Sequence, residues 1–105
     1  MGAEFFITHG THKSANDLFE DLKARAEYDY GHAGYTGTIA EKDDFVMIDA
    51  PEIMAAHQAG AKWSTITGMV ESTYRDDERI DDKWGPAGCI QIGDKSWILF
   101  GWASC

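Results

Sequence analysis

The apolar positions change period once within residues 1–30. Glu4-Phe5-Phe6-Ile7-Thr8 reads as a short strand, followed by a turn over His9-Gly10-Thr11-His12-Lys13. From Ser14 the spacing becomes helical. Ala15, Leu18, Phe19, Leu22 and Ala26 share one face, and Glu20, Lys23, Arg25 and Glu27 share the other. Ser14 with Asp17 three residues on is a weaker form of the Ser-x-x-Glu capping box. Gly31 supplies a natural stop, because helix ends favour a left-handed residue. The spacing predicts a helix over Ala15–Tyr30.

The rest of the chain divides at its turn residues. The runs 36–42 and 44–50 predict a hairpin turning at Lys42-Asp43-Asp44. Pro51 suits the first turn of a helix capped by Asp49 or Ala50, with Ile53, Met54 and His57 on one face. Over 61–75, Trp63, Ile66, Met69, Val70 and Tyr74 keep helical spacing, while Thr65, Thr67 and Gly68 weaken it. One interrupted helix or two helices are expected. The acidic run 76–82 reads as a loop. A second hairpin, 87–92 with 96–103, turns at Gly93-Asp94-Lys95, and its apolar character on both faces predicts central strands. The expected order is β-α-β-β-α-β-β: an α+β fold, one domain over 1–105, with an antiparallel sheet and helices packed on one face.

Composition narrows the class. A chain of 105 residues supports one core, burying roughly two-thirds of the surface it would expose unfolded. Aromatic residues at 12% argue against disorder. No apolar run approaches the roughly 20 residues that cross a bilayer, and the first residues carry no basic and apolar leader pattern. A cytoplasmic protein, of the producing or infected cell, is expected. Cys89 and Cys105 make no disulfide framework. Cys89 reads as a buried thiol in a strand. The formal charge of −9 disfavours direct contact with nucleic acid and favours a basic partner, a metal or simple solubility.

No complete catalytic motif is present. His9, His12, His32 and His57 lack the spacing of a metal site, so no metal and no cofactor are expected. The segment 30–42 is rich in glycine and donors: Tyr30, His32, Tyr35, Thr38 and Lys42 would line a small-ligand or nucleotide site. It matches neither G-x-G-x-x-G nor a Walker A loop, and it follows a helix instead of preceding one. A helix end leading tightly into a strand is the plainer account. The acidic loop of Asp76, Asp77, Glu78, Asp81 and Asp82 lacks the ligand order of an EF-hand, and a solvated loop is its plainer account. Beside it, Trp84 precedes Gly85-Pro86. A tryptophan there is either an interface anchor or a plug on the sheet edge.

Two resemblances bear on function. A strand ending in His9-Gly10-Thr11 resembles the first motif of the diphtheria-toxin-like ADP-ribosyltransferases, which implies a histidine on the nicotinamide nucleotide and Tyr30 or Tyr35 as the stacking residue. The chain is short for that fold, and no later glutamate is placed for catalysis. Segments 30–42, 81–90 and 100–104 look like those of a group of small bacteriophage and bacterial proteins without an established activity. That resemblance implies a phage or prophage setting. Small acidic phage proteins include inhibitors of host defence, of the anti-CRISPR and anti-restriction type. The sequence thus favours a non-enzymatic protein that engages a basic surface of a host protein through Asp76, Asp77, Glu78, Asp81, Asp82 and Trp84. The 30–42 ligand site is the alternative, and a structural or virion component the third reading.

Overall fold

The computed structural model describes residues 2–30 and 36–105, without the side chain of Tyr30. The elements run β1 (Ala3–Thr11), α1 (Ala15–Tyr30), a 3-10 turn (Ile39–Glu41), β2 (Phe45–Met47), α2 (Pro51–Gln58), α3 (Trp63–Tyr74), β3 (Ala87–Gly93) and β4 (Ser96–Ser104). The α+β class expected from the sequence is the one observed. The helix α1 has the expected bounds. The Asp17 N–H donates to Ser14 Oγ at 3.1 Å, and Ser14 Oγ donates to the Asp17 carboxylate at 3.0 Å. Gly31, the expected stop, lies outside the described residues.

Among the described residues, four strands form one sheet in the order β1-β4-β3-β2. The β3–β4 hairpin lies at its centre, as the two-sided apolar pattern requires. The irregularity in its register falls between Gln91 and Gly93. The strand β1 pairs antiparallel with β4 over its full length, from Ala3↔Ser104 to Thr11↔Ser96.

Three expectations are corrected. First, 36–42 is not a strand. Gly37 takes a positive φ of 69°, Thr38 caps the 3-10 turn, and no hairpin with 44–50 forms. Second, β2 is short and runs parallel to β3, so the sheet is mixed. The cause is the connection: α2 and α3 carry the chain from the end of β2 back to the start of β3, a crossover that returns the strand in the same direction. Third, helices cover both faces of the sheet. On one side Leu18 and Phe19 of α1 meet Cys89, Trp97 and Leu99. On the other, Ile53 of α2 and Ile66, Val70 and Tyr74 of α3 meet Ile90, Ile98 and Phe100. Alternate residues of β3 and β4 therefore feed two apolar layers.

Glycines matter where the layers approach closely. A Cβ at Gly10 would stand 2.9 Å from Leu18 Cδ1, and one at Gly88 only 2.6 Å from the Phe100 ring, its cross-strand partner. Two helices form within 51–75, and the second, α3, runs through Thr65, Thr67 and Gly68 without the expected interruption. Pro51 opens α2 after Ala50, and Gly60, at φ 84°, follows its end. Among the described residues, no helix is long and apolar enough to cross a membrane.

Candidate binding surface

The loop from α3 to β3 is built by local hydrogen bonds and two inward anchors. The Asp77 N–H donates to Tyr74 O at 3.1 Å, and the Ile80 N–H to Asp77 O at 3.0 Å. Arg79 closes a fork on Asp77, donating from Nε at 2.9 Å and from NH2 at 2.7 Å. That hydrogen bonding holds the Asp77 carboxyl below its ordinary pKa. Ile80 is buried in the α2–α3 layer, a contact contributing about 1.5–3 kcal/mol. Asp82 then folds an Asx turn: Oδ1 accepts the Trp84 N–H at 2.9 Å, and its carbonyl accepts the Gly85 N–H at 2.9 Å.

The second anchor comes from the other glycine-rich segment. Lys42 is fully buried, its stem 3.7 Å from the Cβ position of Gly101. Its ammonium donates to three carbonyls of the loop: Gly85 at 2.9 Å, Lys83 at 3.3 Å and Asp82 at 3.4 Å. Burial pulls the ammonium pKa down to about 8, partly opposed by the negative charge of Asp82. Lys42 is thus a strut under the loop, directed inward. Thr38 Oγ1 accepts the Ala40 N–H at 3.2 Å, and Glu41 takes the Thr36 N–H at 3.1 Å and hydroxyl at 2.6 Å. The Thr36, Ala40 and Lys42 donors are thus taken up within the segment or by the 82–85 turn, and the Gly37 N–H donates to Ser104 O of β4 at 2.7 Å. Thr38 also borders a shallow groove with Phe6, Leu22 and Ala26, which Lys42 does not reach. His32, Tyr35 and the side chain of Tyr30 lie outside the described residues.

Asp76, Glu78, Asp81 and Asp82 are exposed. Trp84 stands 63% exposed, with Lys83 Nζ 5.5 Å from its ring centroid. The expected partner-binding residues thus share one loop. Within it, Asp77 is neutralised by Arg79 and Asp82 is tied into the turn.

The described histidines each make their own contacts. The His9 ring lies on Trp63, centroids 3.8 Å apart, and burial with the nearby His57 lowers its pKa. His57 Nδ1 lies 3.2 Å from Ile92 O, and His12 Nδ1 accepts the Lys13 N–H at 3.0 Å. Among the described residues no group of three or more His, Cys, Asp or Glu side chains is placed to hold a metal ion. Cys89 is buried and free, as expected, and burial raises its thiol to about 12, which suits packing rather than nucleophilic attack.

Sequence reasoning missed two features. One is the strut role of Lys42. The other is the groove of about 320 Å³ beside β2, lined by Met47, Pro51, Met54 and Gln91. The run Phe45-Val46-Met47-Ile48 read only as part of a hairpin strand, and nothing in it marked Met47, 54% exposed, as a surface residue. Comparison with protein families, curated proteins and solved structures returns no match to this chain.

Proposed function

We propose that the protein is a non-enzymatic binding module that engages a basic protein surface through the 76–86 loop. The observation that carries this reading is an exposed tryptophan on a loop held rigid from below. Ile80, the Asp77–Arg79 fork and the Lys42 strut fix the loop before any partner arrives. A preformed loop loses little entropy on binding, and tryptophan is the residue type most enriched at interface hot spots. Asp76, Glu78, Asp81 and Asp82 then steer a cationic surface towards Trp84. In the phage setting implied by the resemblance, the partner would be a host defence protein whose basic cleft is thereby occupied.

The test is capture of partners from a bacterial lysate, followed by affinity measurement on the protein recovered. The triple variant Asp76→Lys/Glu78→Lys/Asp81→Lys spares the carboxylates that build the loop. It should weaken binding at least tenfold and flatten its salt dependence, and Trp84→Ala should weaken it tenfold or more. Unchanged affinity in both variants would refute the reading.

A small-ligand site remains the second reading, supported by the groove of about 300 Å³ beside Thr38. A thermal-shift screen with nucleotides separates it, since a ligand at 100 times its Kd adds about 2.7 kcal/mol of stability.

A further inference from the structure

The strand β2 is an edge of the sheet, and its backbone is half used. The Ala87 N–H donates to Asp44 O at 3.0 Å, and the Ile48 N–H to Cys89 O at 2.8 Å. With Val46 opposite Gly88 between them, the parallel ladder runs through residues 44, 46 and 48. Strand alternation turns the N–H and C=O of Phe45 and Met47 the other way. Asp44 Oδ1 takes the Phe45 N–H at 2.8 Å. The Phe45 carbonyl and both polar groups of Met47 face the open side.

Two grooves flank this edge. One, of about 270 Å³, is bounded by Asp43, Asp44, Val46, Trp84 and Pro86. The other is the Met47–Met54 groove at the far end of the strand. Three large apolar side chains are exposed among the described residues: Tyr28, Met47 and Trp84. Two of them border β2. The residues lining the two grooves include Asp44, Asp49 and Asp43, the last paired with Lys23 at 3.6 Å, and no lysine, arginine or histidine.

We propose that β2 is a strand-addition site for an extended segment of the partner in which basic and apolar residues alternate. This rests on the binding reading above and gives the partner its chemistry. The main chain of the segment pairs with Phe45 and Met47. Its apolar side chains enter the grooves beside Trp84 and Met47, and its basic side chains meet the aspartates. Strand addition takes affinity from main-chain hydrogen bonds and specificity from pockets for alternate side chains, which is the arrangement present here.

The experiment uses the whole protein, isotope-labelled, and three capped octapeptides: alternating Lys-Val, Glu-Val and Lys-Pro. The Lys-Pro peptide keeps the charge and lacks half of the main-chain donors. Lys-Val should shift the amide signals of Phe45 and Met47 and the indole signal of Trp84. Lys-Pro should bind at least tenfold more weakly, and Glu-Val should not bind. Met47→Pro removes a donor from the open side while leaving the β3 ladder intact, and it should cost at least tenfold in Lys-Val affinity. Met47→Lys, which places a cation on the edge, serves as the second variant if the proline disturbs folding, and it should also cost at least tenfold. Strand addition is wrong if Lys-Pro binds as well as Lys-Val, if both Met47 variants bind like the wild type, if the shifts fall on β1, or if Lys-Val does not bind. Binding that survives the Met47 variants yet falls in the 76/78/81 triple variant would sink strand addition and leave the acidic-loop reading standing. Binding that falls only in the Met47 variants would do the reverse.

Discussion

Two segments singled out in the sequence, 36–42 and the loop around Trp84, end in opposite roles. Residues 36–42 turn their polar groups inward: Thr36 to Glu41, Thr38 to the 3-10 turn, Lys42 to three carbonyls. Residues 82–86 accept that support and hold Trp84 in solvent. One segment is thus a brace and the other a display. The difference lies in which side chain faces solvent: Lys42 is buried and Trp84 is exposed. In 36–42 the Thr36 and Lys42 donors are already taken up within the fold.

The contrast breaks most severely at Lys42. Lys42→Met keeps the stem's apolar contacts but leaves the carbonyls of Asp82, Lys83 and Gly85 without their donor. A loss of about 2–4 kcal/mol is expected in urea unfolding, with faster amide exchange over 82–86. A loss below about 0.5 kcal/mol, within the range of ordinary surface changes, would show that the loop stands without its strut.

Within the brace, Glu41→Ala strands the Thr36 N–H, while the Thr36 hydroxyl keeps Thr38 Oγ1 at 2.8 Å, and the change should cost about 1–2 kcal/mol in the same assay.

A pH series sharpens the picture further. Burial lowers the folded-state pKa of Lys42 from 10.5 to about 8. Below about 8 both folded and unfolded chains carry the charge, and folding bears its whole desolvation cost. Between about 8 and 10.5 the unfolded chain still holds a proton that the folded chain has shed, so the Lys42 contribution to stability rises with pH. Cys89, raised from 9.0 to about 12, acts in the opposite sense above 9.0. The Lys42 effect is therefore read as wild type minus Lys42→Met, and this difference should grow from pH 8 upward. A flat difference would mean that the ammonium stays charged in its carbonyl cage.

The smallest expected effect lies on the display side. The triple variant Asp76→Lys/Glu78→Lys/Asp81→Lys should change stability by less than about 1 kcal/mol, because the altered side chains are exposed. A large loss there would show that the acidic residues build the loop as well as charge it.

Legibility in the sequence followed the range of the interactions. The helix α1 was readable to its ends because its cap and apolar stripe are local, and the β3–β4 hairpin was readable for the same reason. The parallel placement of β2 was not, since it depends on where two helices return the chain. The acidic loop and Trp84 were visible as a candidate surface. Their support was not, because Lys42 lies some 40 residues from the carbonyls it holds, and Thr36, Thr38 and Gly37 carry the composition of a strand or ligand loop. The one-faced helix layer failed on β4, where Trp97-Ile98-Leu99-Phe100 is apolar at every position. Such a run feeds both faces of the sheet, and each face needs a cover.

The pairing of β1 with β4, from Ala3↔Ser104 to Thr11↔Ser96, joins segments separated by nearly the whole chain. Contacts of such long range slow folding, because the intervening chain loses its freedom before the contact rewards it. During synthesis on the ribosome, Phe5, Phe6 and Ile7 must wait unpaired until β4 has emerged. While it stands open, this apolar strand exposes the nascent chain to aggregation.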